Sequence, residues 1–95
     1  MLSKEVVKSL KIPGYELDTE TIVEMDTVIY NKKDDEDDWI KIIPDSHLSD
    51  VYVIIFVHDC VDVKCTIFNP AIYVSDTWKE LLEKVIKNDM PSEMR

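Results

Sequence analysis

Glycine is almost absent from this 95-residue chain, which contains only Gly14. Loops that cradle phosphate groups need several residues without a Cβ atom, so the sequence excludes the glycine-rich nucleotide-binding motifs. Cysteine is also scarce, and two cysteines cannot form the dense disulfide framework of small secreted domains. No segment approaches the ~18 apolar residues of a membrane-spanning helix, and no basic and apolar leader opens the chain. We therefore expect a single soluble, cytoplasmic domain over residues 1–95.

Basic side chains are too few to balance the acidic ones. The chain has 20 Asp and Glu residues against 11 Lys and Arg residues, which gives a formal net charge of −9 at pH 7. Binding to nucleic acid or to anionic lipid needs a basic surface, so this charge argues against direct contact with either. A positively charged protein surface, such as the groove of a nucleic-acid enzyme, is the partner that it would attract.

More than half of the excess negative charge lies in one run of five acids that precedes Trp39. The run consists of Asp34, Asp35, Glu36, Asp37 and Asp38. We expect it to contact a basic partner, with Trp39 as an anchor, because tryptophan is enriched at interaction hot spots. The alternatives are a solvated hairpin tip and a tryptophan that covers a sheet edge. The run also has the spacing of calcium ligands, but Trp39 stands where such a loop requires glycine.

Hydrophobic periodicity predicts four strands between two helices. The predicted segments are a helix over 2–12, strands over 21–30, 39–43, 51–58 and 62–68, a helix over 77–88, and a frayed end over 89–95. The last helix has the clearest pattern, an apolar stripe that begins at Trp78 and ends at Ile86. We therefore predict an α+β fold: a four-stranded antiparallel meander with a short N-terminal helix and an amphipathic C-terminal helix, arranged as a two-layer sandwich.

The third and fourth strands define the expected register of the sheet. A two-residue loop at Asp59-Cys60 would mix polar and apolar faces, whereas a three-residue loop that includes Val61 keeps them apart. Because a slip of one residue inverts every side chain, such matching sets the register. The expected pairs are Val57 with Val63, Ile55 with Cys65 and Val53 with Ile67.

Both faces of the third strand are apolar, so the sequence alone does not show which face each helix covers. We expect the C-terminal helix to cover Val53, Ile55 and Val57. The opposite face is either closed by the N-terminal helix or left open as a homodimer face, because large exposed apolar patches are rare on monomers. That second face carries Tyr52, Ile54, Phe56 and Phe68.

One short segment holds the residue types of catalysis. A Cys60–His58 pair is the only candidate nucleophile and base, but acidic neighbours raise a thiol pKa, and no oxyanion donors are evident. We favour a hairpin turn in which His58 faces Asp62 across the strands. We expect no metal and no cofactor, because His47, His58 and Cys60 lack the spacing of metal ligands.

Three functional hypotheses follow, in order of preference. The first is a non-enzymatic inhibitor or immunity-type factor that docks on a basic protein surface through residues 34–39. The second is an assembly subunit that dimerises through the Tyr52 face, and the third is a small enzyme that uses Cys60 and His58. Lysine outnumbers arginine ten to one, as is typical of AT-rich genomes, and small acidic domains are common among phage and viral accessory proteins, which suggests such an origin.

Overall fold

The chain forms a five-stranded antiparallel sheet with its helices packed on one face. The computed structural model describes residues 4–21, 26–45, 51–69 and 78–95. Its elements are helix α1 (Lys4–Val7), strands β1 (Tyr15–Leu17), β2 (Val28–Lys32), β3 (Trp39–Asp45), β4 (Val51–His58) and β5 (Val61–Phe68), helix α2 (Trp78–Asp89) and a 3₁₀ turn (Ser92–Met94). The predicted α+β class is confirmed, with one more strand than expected. Among the described helices, none is long and apolar enough to cross a membrane.

The strands lie side by side in chain order, and the additional one is β1. It pairs with β2 from Tyr15 opposite Lys32 to Leu17 opposite Tyr30. Three residues are too few for an alternating pattern to stand out, which explains why the sequence did not reveal this strand. The β2–β3 hairpin carries the acidic run in its loop, as predicted. Residues 22–25, in the predicted second segment, lie outside the described part of the chain.

A single cluster of buried residues fills the space between the sheet and the helices. The sheet contributes alternate residues of its strands, while α2 contributes Leu82 and Ile86. The ring of Tyr52 stacks between Trp78, at a centroid distance of 5.8 Å, and Phe68, at 6.3 Å. The position of Trp78 against the core agrees with the helical stripe in the sequence.

The helices cover the sheet face that carries Tyr52. We expected the C-terminal helix to cover the other face, which carries Val53 and Ile55. The residues of the predicted dimer face belong to the core and are at most 2% exposed: Tyr52, Ile54, Phe56 and Phe68. The prediction that this face is available for dimerisation is therefore wrong. The open face instead carries Val53 and Ile55, which are half-buried.

The neighbouring strand β3 explains this choice of face. Lys41 lies opposite Ile55, whereas Ile40 lies opposite Phe56, so the two faces of β4 have different neighbours. A charged side chain in the middle of a central strand marks the solvated face of an antiparallel sheet. Because β4 is apolar on both sides, its own sequence did not carry this information.

The turn between β4 and β5 contains two residues, not the predicted three. His58 pairs with Val61, and Asp59 and Cys60 have φ values of 51° and 64°. Two successive left-handed residues are characteristic of a type I′ turn, in which asparagine or aspartate usually precedes glycine. Asp59 fits the first position, but Cys60 replaces the glycine, so only the first half of the usual sequence signal is present.

A β-bulge next to the turn restores most of the expected register. It shifts the pairing between Phe56 and Val57, so that Val57 faces Asp62 and not Val63. Beyond the bulge, Ile55 faces Cys65 and Val53 faces Ile67, as predicted. A bulge adds one residue to one strand, so it has the same effect on distant pairs as one more loop residue.

The end of the chain is docked against the core, which corrects the predicted frayed tail. Met90 and Met94 are buried, and the Tyr15 hydroxyl donates a hydrogen bond of 2.8 Å to the carbonyl oxygen of Met94. Arg95 Nε donates to the carbonyl oxygen of Met90 at 3.1 Å. Met90 follows Leu82 and Ile86 at a spacing of four residues just after the end of α2, whereas Met94 belongs to the 3₁₀ turn.

Candidate functional site

Local hydrogen bonds give the acidic run a folded loop conformation between β2 and β3. Lys32 N donates to the carbonyl oxygen of Asp38 at 3.0 Å and so closes the loop. Asp35 Oδ1 accepts a hydrogen bond of 3.0 Å from Asp37 N. Asp34 has a φ of 65°, a left-handed conformation that Asp adopts more readily than most residues. The backbone of the loop therefore has a defined conformation.

Asp38 differs from the rest of the run because its side chain is turned into the protein and is only 1% exposed. Its two carboxylate oxygens lie 2.9 and 3.0 Å from His58 Nδ1, and Asp59 N donates to Oδ1 at 3.0 Å. Lys32 Nζ lies 3.9 Å away. Burial raises the pKa of Asp38, but these hydrogen bonds and charges outweigh burial and lower the pKa overall. Such a side chain cannot contact a partner, so the prediction for Asp38 is corrected.

His58 lies between two carboxylates. Because an ionised carboxylate can only accept hydrogen bonds, Nδ1 donates to Asp38, while Nε2 lies 3.3 Å from Asp59 Oδ2. The hydrogen bond to Asp38 raises the pKa of His58, with smaller contributions from the charges of Asp38, Asp59 and Glu93. Asp62, the expected partner of His58, faces a different residue. The network joins the β2–β3 loop to the β4–β5 turn.

The same three residues have the composition of a metal-binding group. Asp38, His58 and Asp59 each place one ligand atom within 4.8 Å of the others. However, the two carboxylates approach opposite nitrogens of the imidazole, and a metal at Nδ1 would have to displace the proton that His58 donates to Asp38. The geometry therefore favours a hydrogen-bonded charge network. The calcium arrangement is also unsupported, because the Asp38 carboxylate is directed to His58 and not to Asp34 and Glu36.

Cys60 lies in the turn beside the acidic loop. Its backbone N donates to the carbonyl oxygen of Asp37 at 2.9 Å, and its Sγ donates to Asp37 Oδ1 at 3.5 Å. Partial desolvation raises the pKa of the thiol, and the acidic neighbours raise the pKa further, as expected from the sequence. Both nitrogens of His58 face carboxylates, so the imidazole does not act as a base toward this thiol. His47, the other histidine, lies outside the described residues.

A groove lies beside the acidic loop, on the sheet face that the helices leave open. It has a volume of about 920 Å³, and its floor includes the half-buried Trp39. Five carboxylates and two lysines line it, together with uncharged residues of the sheet. The carboxylates belong to Glu16, Asp18, Asp34, Asp35 and Glu36, and the lysines are Lys32 and Lys41. The lining is therefore negatively charged, with an aromatic ring in its floor.

The groove brings together part of the predicted site and two residues that the sequence did not indicate. Asp37 does not line it and instead contacts the β4–β5 turn through Cys60. Glu16 and Asp18 reach the groove from β1 and the residues after it, and they were missed because β1 was not recognised. Hydrogen bonds from Thr21 lower the pKa of Asp18 below its usual range. The Asp18–Thr21 spacing, typical of a side-chain-capped turn, was the available signal.

Comparison with known proteins returned no matching family model, no matching curated protein and no matching solved structure. The function is therefore inferred from the groove and its surroundings.

Proposed function

We propose that this protein is a non-enzymatic binding protein whose groove receives a basic segment of a protein partner. The observation that carries the proposal is that the loop carboxylates and the indole of Trp39 line the same open groove. Asp34, Asp35 and Glu36 form the acidic rim on the loop side. Asp37 is exposed next to this rim and adds negative potential without lining the groove.

Arginine and lysine side chains match this combination of groups. A guanidinium group forms paired hydrogen bonds with a carboxylate and also stacks on an aromatic ring, and a cation over tryptophan gains about 0.5–2 kcal/mol. The volume of about 920 Å³ is at the upper end of the range for small-ligand pockets, so it has room for several side chains. A short extended basic segment fits these dimensions.

The partner that we favour is a protein whose basic surface presents such a segment, for example a nucleic-acid enzyme, which this protein would inhibit. The net charge of −9 on the acidic protein raises its rate of encounter with such a surface and opposes its binding to nucleic acid. We also favour a cytoplasmic location, in keeping with two free cysteines. An origin as a phage or viral accessory protein remains a hypothesis.

The geometry around Cys60 supports a non-enzymatic function. A nucleophilic thiol needs a lowered pKa and a base within hydrogen-bonding distance. Here the neighbouring acids raise the pKa of Cys60, and the nitrogens of His58 face Asp38 and Asp59.

The fluorescence of Trp39 provides a direct test with a defined probe. The chain has two tryptophans, so a Trp78→Phe variant leaves Trp39 as the only indole. Addition of an arginine-rich peptide should change its emission in a saturable manner at low salt. Raising the ionic strength to about 0.15 M shortens the Debye length to about 8 Å and should weaken binding several-fold. Binding that is insensitive to salt would contradict the proposal.

Two variants of equal charge separate the groove from the overall acidity. Asp34→Asn, Asp35→Asn and Glu36→Gln together remove three charges from the groove, and the affinity should fall by about tenfold or more, equivalent to about 1.4 kcal/mol. The control removes three charges outside the groove through Asp26→Asn, Glu80→Gln and Asp89→Asn. Equal losses in the two variants would show that only net charge matters and would refute the groove.

A further inference from the structure

Strand β5 forms a long exposed edge of the sheet. It pairs with β4 on one side, and within the described part of the chain no strand pairs with its other side. Three of its apolar side chains are strongly exposed: Val61 at 61%, Val63 at 46% and Ile67 at 70%. Cys65, which pairs with Ile55 on the face that we expected the C-terminal helix to cover, is exposed as well. A sheet edge without a neighbouring strand, as over Val61 to Ile67, is a template for another strand.

We propose that β5 pairs antiparallel with β5 of a second copy of this chain, about a twofold axis at Cys65. The pairing joins two five-stranded sheets into one sheet of ten strands. On the open face, Cys65 then faces Cys65 of the second copy, and Val63 faces Ile67 on each side of the axis. Val63 and Ile67, which are both strongly exposed in the single chain, therefore bury each other.

The two twofold registers with the axis at Lys64 or at Val63 are less favourable. An axis at Lys64 places two lysines opposite each other, and like charges in directly opposed positions destabilise a strand pair. An axis at Val63 would pair Lys64 with Asp62, but it centres the ladder on the extra residue of the β-bulge, where backbone pairing is irregular, and places Ile67 opposite Asp59 in the turn of the second copy. With the axis at Cys65, Lys64 faces Thr66, so no like charges meet.

The antiparallel arrangement also limits the repulsion between two acidic molecules. Asp59 is six residues from the axis, which places each acidic turn about 20 Å away at about 3.3 Å per residue. The turns of the two copies are then about 40 Å apart, several times the Debye length of about 10 Å at 0.1 M salt. The groove is formed by β1, β2 and β3 at the other side of the sheet, so pairing through β5 leaves it open. Dimerisation is therefore independent of the proposed function.

Oxidative cross-linking tests the position of the axis. A Cys60→Ser variant retains Cys65 as the only thiol, because the chain has two cysteines. Sedimentation at increasing concentration should show a mass twice that of the chain, and mild oxidation should convert this dimer to a covalent one. A Cys65→Ser variant, which retains the turn thiol Cys60, should dimerise without cross-linking. A monomer at about 1 mM, where an association of about −4 kcal/mol would be half complete, would overturn the proposal.

A charge-swap pair tests the register without relying on a thiol. Val63→Asp or Ile67→Lys alone should weaken dimerisation by about tenfold, because each places two charges opposite apolar side chains. The double variant should restore it, since the introduced carboxylate and ammonium groups then face each other twice across the axis. Both positions are exposed, so the fold should persist, and far-ultraviolet circular dichroism verifies this. A double variant no better than the single ones would overturn the register, and masses that keep increasing beyond the dimer would overturn the closed pairing.

Discussion

The carboxylate of Asp38 lies between two hairpin ends, where it accepts hydrogen bonds from His58 and from the backbone N of Asp59. A buried charge is tolerated only when it is paired and hydrogen-bonded, and both conditions are met here. The four acids before it are three aspartates and one glutamate, so they have nearly the same chemistry. Their side chains, however, are directed to solvent, to the groove or to the turn. Of the five acids in the run, Asp38 therefore stabilises the fold, whereas the other four lie at the surface.

The sign of the two pKa shifts defines the pH range in which this pair stabilises the fold. The pKa of His58 is raised, so its contribution is complete below the ordinary value of 6.5 and is lost as the pH rises through the raised value. The pKa of Asp38 is lowered, so its contribution is present above the ordinary value of 3.8 and is lost as the pH falls through the lowered value. The charged groups that face the pair are Asp59, Glu93 and, through Asp38, Lys32.

We therefore expect a titration of the His58 imidazole by NMR to give a pKa above 6.5 in the wild-type protein. In an Asp38→Asn variant the pKa of His58 should fall, and the gain in stability of the wild type over this variant should decrease as the pH rises above neutrality. The control is Asp37→Asn, which removes a charge from the same loop without removing a contact to His58. An equal fall in the pKa of His58 in both variants would indicate a general charge effect and contradict the role of Asp38.

At the scale of elements, the turn between β4 and β5 has the ordinary type I′ geometry, but its second position holds Cys60 where glycine is usual. Left-handed backbone at a residue with a Cβ costs about 1 kcal/mol, and Cys60 has no side-chain amide or carboxylate to compensate. Its thiol makes only a weak contact of 3.5 Å with Asp37. The turn therefore persists because the strands and the Asp38 network hold it from both sides.

A Cys60→Gly variant should consequently be more stable than the wild type by about 0.5–1 kcal/mol, since Asp-Gly is a preferred type I′ sequence. Unfolding in urea, followed by circular dichroism, measures the difference. Cys60→Ser is the matched control, because it removes the thiol but keeps the Cβ, and its stability should stay within about 0.5 kcal/mol of the wild type. A glycine variant less stable than the wild type would contradict this account, because it would show that the Cys60 side chain stabilises the turn.

The elements that the sequence predicted well are those whose patterns extend over many residues. Helix α2 and strand β4 were located within one or two residues because α2 repeats a helical period over twelve residues and β4 is a nearly continuous apolar run of eight. Strand β1 has only three residues and depends on its pairing with β2, so no local sequence pattern predicted it. The bulge, whose extra residue is Val63 in β5, was not indicated by the sequence either, because it changes the ladder without changing the alternation beyond it.

At the scale of the whole molecule, the sequence predicted contacts between neighbours in the chain, but it did not predict which face of the sheet the helices cover. The loop acids and Trp39 are neighbours in the chain, so their proximity in the groove was predictable. Glu16 and Asp18 join them only through the pairing of β1 with β2. The face covered by the helices depends on how Lys41 aligns with Ile55, which is a property of the assembled sheet. Long-range pairing, and not local propensity, therefore completes the candidate site.

The same assembly gives the molecule two separate surfaces. The groove lies over β1 to β3, whereas the exposed edge of β5 lies beyond β4 on the far side of the sheet. A basic ligand in the groove should therefore leave the signals of Val63 and Ile67 unchanged.

The most direct measurement is a map of backbone and indole amide shifts in the isotopically labelled protein during titration with an arginine-rich peptide. We expect the largest shifts at Asn31, at Asp35 and at the indole of Trp39, with little change in α2, which carries Glu80 and Asp89 on its own surface. Shifts spread evenly over every acidic part of the molecule, with Trp39 unaffected, would contradict a groove that binds basic segments.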